Sequence, residues 1–305
     1  MAYYITGDCH GKFQKIETFC RFHNTSKNDY MIILGDAGIN FYLNKTDKKQ
    51  KKKLSDLPIK FFMIHGNHEE RPYNIATYKE REWHGGIVYY EEEYPDLLFA
   101  KDGEIYDLDG KKCIAIGGAY SVDKDYRRTK GLPWFESEQP SPEIKKYVEE
   151  QLQRCNWTID YVFSHTCPSF MMPTDLFLDF IDQKGVDQST EEWLSCIHKK
   201  MNFKKWYFAH YHENRSSISF DMLYEVIKEL GSDDFIQKLG RPVYKYGDLV
   251  CFYFNNGREN TEKCGKIDTI DEYGTVEQAK EVSYDIYEDA GILYKHIPES
   301  HIIST

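Results

Sequence analysis

The stretch AYYITGDCHG, residues 2–11, contains the pattern that decides the fold. Ala2–Thr6 is a short apolar run typical of a β-strand, and it stops at Gly7. Asp8 and His10 follow at once, two positions apart, so both side chains can reach one site from a loop that turns sharply. Glycine permits such a turn and the close approach of a ligand to the backbone. The stretch therefore predicts a strand that ends in two side chains able to share one ligand.

Two more apolar runs in the first third of the chain have the same form. Tyr30–Leu34 and Ile59–Ile64 are continuous apolar segments, and a glycine follows each of them closely. Such runs fit strands that are buried on both faces of a sheet. Phe13–His23 has apolar residues at helical spacing, and the lysine-rich segment Thr46–Leu54 is also compatible with a helix. This alternation of strands and helices predicts an α/β layered fold.

The middle of the chain changes to short strand-like pieces, which predict a second sheet or a long antiparallel stretch. The turn Asp109-Gly110 separates two of them and predicts a β-hairpin. Glu143–Arg154 is predicted to be helical. The further predicted strands are Ile87–Tyr90, Leu97–Ala100, Glu104–Leu108, Lys112–Gly117, Tyr161–Phe163 and Trp206–Ala209, with Leu249–Phe254 as the last core strand.

Five of the predicted strands end in short loops that carry Asp, Asn or His. The five motifs are Gly7-Asp8-Cys9-His10-Gly11, Gly35-Asp36-Ala37-Gly38, Gly66-Asn67-His68-Glu69, Ser164-His165-Thr166 and Ala209-His210-Tyr211-His212. In open α/β sheets, ligands bind at such strand ends. Carboxylate, amide oxygen and imidazole groups together suit Mn, Fe or Zn, whereas softer sites use thiolates. The motifs therefore predict one metal site built from five loops.

In this order, the motifs D-x-H, G-D, G-N-H-E, H and H-x-H resemble the calcineurin-like metallophosphoesterase superfamily over roughly residues 1–255. The resemblance implies an α/β fold with a two-sheet β-sandwich flanked by α-helices in four layers. It also implies a binuclear site for two divalent or trivalent ions, Mn, Fe or Zn. By motif, one metal would be held by Asp8, His10 and His212 and the other by Asn67, His165 and His210, with Asp36 bridging the two.

The resemblance also implies an activity, which is metal-dependent hydrolysis of phosphoesters. A hydroxide bound by two metals would attack phosphorus, and His68 would lie near the leaving-group oxygen. The substrate is predicted to be a small phosphoester or a nucleotide, and the reaction that of a phosphatase or a phosphodiesterase. The alternatives are a Ser/Thr-type protein phosphatase, a nuclease, or a scaffold that has kept the fold without the chemistry.

The second motif departs from the protein-phosphatase branch of the superfamily. That branch continues G-D-x-x-D-R, whereas Ile39 and Asn40 stand here in place of the acid and the phosphate-binding arginine. The change weakens the protein-phosphatase interpretation and leaves His68 without an identified orienting partner. A loop that starts at Gly117 leads to Arg127 and Arg128. These arginines are candidates to bind the phosphate, because a guanidinium matches phosphate geometry, and the alternative is a surface loop with solvated arginines.

The resemblance and the strand pattern predict the domain organisation. Residues 1–258 form the catalytic domain, with helical insertions near 169–201 and 222–239, and residues 259–305 form a C-terminal extension. The two insertions are expected to help line the cleft that selects the substrate. The oligomeric state is left open.

Composition limits the partners and the location. With 39 Lys and Arg against 50 Asp and Glu, the net charge is −11, which argues against a general nucleic-acid binder. The N-terminus lacks the pattern of a signal peptide, and there is no apolar run long enough to span a membrane. The eight cysteines form no C-x-x-C pair, so we expect reduced thiols and a cytoplasmic location.

Overall fold

The structure, a computed structural model, describes residues 1–177, 185–232, 242–255, 260–271, 281–288 and 290–304. The chain forms two compact units. Unit 1 comprises Met1–Lys12 and Thr25–Asp234, and unit 2 comprises Phe13–Asn24 and Phe235–Thr305. All five motif loops belong to unit 1.

Unit 1 contains a mixed seven-stranded sheet with the order β13-β1-β2-β3-β6-β5-β4. Its strands are β1 (Tyr3–Thr6), β2 (Tyr30–Ile33), β3 (Lys60–Met63), β4 (Tyr78–Trp83), β5 (Gly86–Glu91), β6 (Tyr94–Ala100) and β13 (Ile227–Glu229). Strands β1, β2, β3 and β6 run parallel, and β2 is buried along its whole length. The continuous apolar runs of the sequence thus form central strands covered on both faces, as predicted.

The second sheet of unit 1 has six strands in the order β11-β12-β10-β9-β8-β7. They are β7 (Ile105–Leu108), β8 (Lys111–Ile116), β9 (Tyr161–Ser164), β10 (Lys205–Phe208), β11 (Arg215–Ser216) and β12 (Phe220–Met222). Strands β7 and β8 form the predicted hairpin, and both turn residues, Asp109 and Gly110, have positive φ angles of 52° and 77°. Two positive φ angles are what a two-residue type I′ turn requires.

Helices flank the two sheets, which also contact each other. Unit 1 contains α2 (Lys45–Ser55), α3 (Lys124–Lys130), α4 (Pro142–Arg154) and α5 (Ser189–His198). Val148 and Leu152 of α4 and Leu194 of α5 share one buried cluster with Trp206 of β10. Between the sheets, the rings of Phe62 on β3 and Tyr106 on β7 lie 4.9 Å apart. The predicted α/β fold, with two sheets flanked by helices, is confirmed.

Unit 2 contains α1 (Gln14–His23) and a five-stranded antiparallel sheet in the order β17-β16-β15-β14-β18. The strands are β14 (Leu249–Asn255), β15 (Asn260–Asp271), β16 (Ser283–Glu288), β17 (Ile292–Pro298) and β18 (Ile302–Ser304). The sheet has its own buried cluster, which includes Val250, Phe252, Tyr284 and Ile286. The weak strand patterns of the C-terminal segment therefore form a sheet with a core.

Two expectations for this region were wrong. Leu249–Phe254 is a strand, but it pairs with β15 and β18 and not with a sheet of unit 1. Periodicity identifies a strand but not its partners. The compact units divide after Asp234, and the predicted domain boundary at 258 stays a prediction. In addition, Cys251 and Cys264 face each other in register across β14 and β15 and form a disulfide. The other six cysteines are free thiols, as predicted.

The two predicted helical insertions differ in outcome. Ser169–Met201 contains α5 and two short 3₁₀ helices, and its residues 178–184 lie outside the described residues. Met222–Leu239 was predicted to be helical, but Ile227–Glu229 within it is β13, paired antiparallel with β1. Residues 233–239 of that segment also lie outside the described residues. The edge of a sheet can override helical spacing, because a strand gains its hydrogen bonds from a distant partner.

Within the described parts of the chain, no helix combines the length and apolar character needed to cross a membrane.

Candidate metal centre

The five motif loops leave the carboxyl ends of strands that are neighbours in space. Strands β1, β2 and β3 are parallel neighbours in one sheet, and β9 and β10 are parallel neighbours in the other. The loops of the two sheets meet directly, because His165 Nδ1, after β9, lies 2.7 Å from the Leu34 carbonyl oxygen, after β2. Seven side chains come together in this way: Asp8, His10, Asp36, Asn67, His165, His210 and His212.

Glycine is required where the loops cross. A Cβ atom at Gly35 would lie 2.1 Å from His165 Nδ1, and one at Gly66 would lie 2.0 Å from Asp36 Oδ1. Both distances are far below van der Waals contact, so any side chain at either position would displace one of the seven residues. The glycines of the second and third motifs therefore allow the loops to approach each other.

Four of the seven residues have left-handed backbone conformations. The φ angles are 48° at His10, 49° at Asp36, 71° at His210 and 53° at His212. Such a conformation costs an L-residue about 1–2 kcal/mol. Strained backbone of this kind clusters at functional sites, where the surrounding structure holds it. The strain thus supports a functional role for these loops.

Asp8, His10 and His212 form the first group, which can hold one metal ion. Asp8 Oδ2 lies 3.6 Å from His10 Nε2 and 3.0 Å from His212 Nε2, and the two imidazole nitrogens are 3.0 Å apart. Asp8 is buried, whereas the side chains of His10 and His212 are 28% and 50% exposed. This group therefore opens toward solvent.

Asn67, His165 and His210 form the second group. Asn67 Oδ1 lies 2.8 Å from His165 Nε2 and 3.1 Å from His210 Nδ1. Asn67 and His165 are buried. The orientation of the Asn67 amide is fixed from behind, because its Nδ2 donates a hydrogen bond of 2.8 Å to Ser121 Oγ. The second group is therefore more enclosed than the first.

Asp36 lies between the two groups. Its Oδ2 atom is 4.0 Å from His10 Nε2 in the first group and 3.7 Å from His165 Nε2 in the second. Its Oδ1 atom accepts a hydrogen bond of 2.8 Å from the backbone N–H of His68. One carboxylate thus faces both groups, which is the position that a bridging ligand needs.

The hydrogen bonds around His165 fit a metal ion. A carbonyl oxygen can only accept, so Nδ1 of His165 must donate its proton to the Leu34 carbonyl. In the neutral imidazole, Nε2 then presents a lone pair, and this lone pair faces Asn67 Oδ1, which is also an acceptor. A metal ion beside these two atoms would bind both lone pairs. A backbone carbonyl that fixes the histidine tautomer is a common partner of metal-binding histidines.

Local electrostatics favour the protonation states that metal binding needs. Burial alone would raise the pKa of Asp8, but hydrogen bonds with His10 and His212 lower it well below its usual value. Burial lowers the pKa of His210 to about 3. Carboxylates bind metals in the ionised form and imidazoles in the neutral form. The Asp8 carboxylate and the His210 imidazole are therefore in the binding form near neutral pH.

His68 lies beside the centre and contacts Arg127. The Arg127 guanidinium touches the ring nitrogens of His68, and its Nε donates a hydrogen bond of 2.8 Å to Asp123. Phe41 stacks on His68 with the ring centroids 6.3 Å apart. Burial lowers the pKa of His68 to about 4, against the opposing effect of Asp36 and with the help of the Arg127 charge. His68 is thus neutral near pH 7.

The two arginines named from the sequence behave differently. Arg127 is buried and reaches His68, whereas Arg128 is exposed and lies over the ring of Trp134, 5.5 Å from its centroid. Arg71, three residues after His68, forms a buried ion pair with Asp102. The partner of His68 that the sequence left unidentified is therefore an arginine on α3.

Several residues near the centre carried no recognisable pattern in the sequence. Ser121 orients Asn67, and the ring of Tyr224 stacks on His212 at 4.6 Å. Thr166 Oγ1, next to His165, lies 2.7 Å from Glu191 Oε1 and 3.0 Å from the hydroxyl of Tyr211, which follows His210. The Thr166 hydroxyl thus connects the two histidine loops of the second group, and Glu191 on α5 supports it. Ser121 lies in the loop that starts at Gly117, and Thr166 and Tyr211 lie inside the quoted motifs, whereas Tyr224 and Glu191 had no such indication.

One protein family and several solved structures match parts of the chain. The calcineurin-like phosphoesterase family matches residues 1–214. Among solved structures, a phosphopantetheinyl hydrolase from Mycobacterium tuberculosis is 12% identical, with a TM-score of 0.42, and 73% of this chain and 89% of that chain are covered. TT1561 of Thermus thermophilus is also 12% identical, with the same coverage and a TM-score of 0.41. AQ665 from Aquifex aeolicus, of unknown function, is 14% identical, with the same coverage and a TM-score of 0.35. No curated protein sequence matches the chain significantly.

Proposed function

The chain belongs to the calcineurin-like phosphoesterase family, and we propose that it hydrolyses small phosphoesters or nucleotides at a centre of two metal ions. Family membership supports metal-dependent phosphoester hydrolysis in general. The proposal adds the number of metal ions and the size of the substrate. It is supported by one observation above all: a carboxylate, Asp36, faces two separate groups of ligand-type side chains.

Each group would hold one ion. Asp8, His10 and His212 offer one carboxylate and two imidazoles, and Asn67, His165 and His210 offer an amide oxygen and two imidazoles. These donor sets suit Mn, Fe or Zn. When bound, a pair of such ions lowers the pKa of a water molecule and neutralises charge on a phosphoryl oxygen. Asp36 would keep the two ions at a fixed separation.

His68 and Arg127 would act on the substrate rather than on the metals. The positive charge of Arg127 lies beside His68, so it can stabilise the negative charge that develops on a phosphoryl or leaving-group oxygen. A neutral His68 still has one N–H group, which can donate a hydrogen bond to the leaving oxygen. Asp123 would hold the guanidinium in place through its 2.8 Å hydrogen bond.

A substrate panel with the Mn²⁺-loaded chain tests this function. We expect release of phosphate or alcohol from p-nitrophenyl phosphate, its bis ester or a nucleotide. His165→Ala should abolish the activity, whereas His301→Ala, at an exposed histidine of unit 2, should leave it unchanged. Absence of hydrolysis across the panel with Mn²⁺, Fe²⁺ and Zn²⁺ would contradict the proposal.

The same panel separates the alternative activities. Ile39 and Asn40 are fully buried, and Asn40 Oδ1 accepts a hydrogen bond of 3.1 Å from the Tyr78 hydroxyl. These two residues pack in the core, which disfavours a protein phosphatase of the branch that uses an acid and an arginine there. Faster hydrolysis of phosphopeptides than of small esters would favour a protein phosphatase. Cleavage of oligonucleotides would favour a nuclease.

A cytoplasmic location of the protein stays a prediction.

A further inference from the structure

The segment Phe41-Tyr42-Leu43, which we call the apolar ledge, borders the candidate metal centre. The Phe41 ring stacks on His68 at 6.3 Å, and the Arg127 guanidinium carbon lies 5.8 Å from the Phe41 centroid. The Tyr42 ring packs edge-on against Phe41, with the centroids 4.7 Å apart. The ledge therefore continues outward from the two residues that we expect to contact the substrate.

The outer part of the ledge is apolar and faces solvent. Tyr42 is 49% exposed and Leu43 is 51% exposed. Leu43 also has a φ angle of 51°, a left-handed conformation that is costly for a branched side chain. An exposed apolar pair in strained backbone beside the site is suited to contact an apolar ligand.

The buried carboxylate of Asp47 fixes this conformation. Asp47, in the first turn of α2, accepts hydrogen bonds from the backbone N–H groups of Tyr42, at 3.1 Å, and Leu43, at 2.7 Å. A side chain that satisfies two consecutive N–H groups holds the loop in one shape. The ledge is thus presented to solvent in advance of any ligand, which reduces the entropic cost of binding.

His68, which borders the ledge, is one of the partly exposed side chains of the centre, together with His10 and His212. Asp36 and His165 are almost completely buried, whereas the side chain of His68 is 29% exposed. The organic part of a phosphoester bound at the centre must therefore leave past the exposed side chains, and the ledge borders His68. Arg127 and the ledge together present a positive charge next to an apolar surface.

We propose that the apolar ledge binds the organic group of the substrate, and that the substrate class is phosphoesters of apolar alcohols. The proposal rests on the proposed function and names the substrate class for the same site. A phosphoester of an alkyl or arylalkyl alcohol has a charged head and an apolar body, which match Arg127 and the ledge. A sugar or glycerol group offers less apolar surface to Tyr42 and Leu43, so it would gain less free energy from the ledge.

Binding of alkylphosphonates to the Mn²⁺-loaded full chain tests the ledge without turnover. Isothermal titration calorimetry would compare ethyl-, butyl-, hexyl- and 2,3-dihydroxypropylphosphonate. Burial of a methylene group is worth about 0.8 kcal/mol, or roughly a fourfold change in affinity, when it is complete. On a half-open ledge we expect about twofold per methylene, so hexylphosphonate should bind at least about tenfold more tightly than ethylphosphonate. The dihydroxypropyl compound should bind no better than ethylphosphonate.

Two variants remove the apolar surface without removing the fold. Leu43→Asn keeps a similar size and tolerates a positive φ angle, and Tyr42→Ser removes the exposed ring. In each variant, we expect hexylphosphonate to bind no more than about threefold more tightly than ethylphosphonate. Ile218→Asn is the matched control, because Ile218 is 95% exposed outside the site, and it should keep the full gain.

Three results would overturn the ledge proposal. They are an affinity that does not depend on chain length, a gain that survives both ledge variants, and tighter binding of a phosphotyrosine peptide than of any alkylphosphonate. A matching hydrolysis assay on the alkyl phosphates separates the two proposals. Hydrolysis without dependence on chain length would reject the ledge and leave the proposed function standing. Binding that depends on chain length without any hydrolysis would reject the proposed function and support the ledge.

Discussion

In the group of Asn67, His165 and His210, the protein supports the side chains from behind, whereas the group of Asp8, His10 and His212 faces solvent. Ser121 and the Leu34 carbonyl fix Asn67 and His165. In the first group, His212 is half exposed and its ring rests on Tyr224. Enclosure and fixed orientation raise metal affinity. The comparison therefore predicts a tight site in the second group and a weaker, exchangeable site in the first.

Asp36→Asn should have the largest effect, because Asp36 faces both groups. The loss of one negative charge weakens both metal sites, and charge stabilisation by metals is worth several kcal/mol in the transition state. We expect kcat/KM to fall by about 10³-fold or more. Steady-state kinetics and metal analysis of the dialysed protein would measure both consequences.

Asp175→Asn is the matched control for that change. Asp175 is exposed and pairs with Arg215 at 2.7 Å, outside the centre. The control should retain full activity and metal content. An Asp36→Asn protein that keeps two tightly bound metals would show that the two groups do not share this carboxylate.

Ser121→Ala should affect the second group alone. It removes the hydrogen bond that orients the Asn67 amide, and loss of such an orienting partner commonly weakens metal binding by about 10- to 100-fold. A Mn²⁺ titration should show a tight binding step, assigned to the second group, and a weak step, assigned to the first. We expect the Mn²⁺ affinity of the tight step to fall by about tenfold and that of the weak step to stay unchanged. His212→Ala should do the reverse and remove only the weak step. Equal weakening of both steps by Ser121→Ala would contradict the comparison.

As the pH falls, metal binding by the first group should weaken at a higher pH than metal binding by the second group. This is the smallest of the expected effects. Burial would lower the pKa of His10, but the hydrogen bond with Asp8 and the charge of Asp36 raise it above its usual value of 6.5. A proton therefore competes with metal at His10 as the pH falls through that raised pKa. His210 has a pKa of about 3 and stays neutral above pH 5.

Mn²⁺ titrations between pH 5 and pH 8 would measure the difference. Below the pKa of His10, the affinity of the weak step should fall by up to about tenfold per pH unit, because one proton must leave before the metal binds. The tight step should change less over the same range. A tight step that is more sensitive to acid than the weak step would reverse the assignment of the two groups.

The sequence by itself determined the elements and the loops of the candidate site. Strand patterns such as Tyr30–Leu34 and the motifs that follow them are local features, because a few adjacent residues decide where a buried strand stops and a ligand-bearing loop begins. Parallel strands then bring their carboxyl ends to one edge. For this reason the seven side chains could be named before their distances were known.

Only the tertiary structure decided which distant residues meet. The contact of Arg127 with His68, the support of Asn67 by Ser121 and the disulfide between Cys251 and Cys264 each join segments that no local pattern relates. The same is true of β14, whose pattern predicts a strand but not the sheet that it joins. Hydrogen bonds and side-chain contacts between remote segments depend on the path of the whole chain. The residues of any one stretch do not determine that path, so they do not predict these contacts.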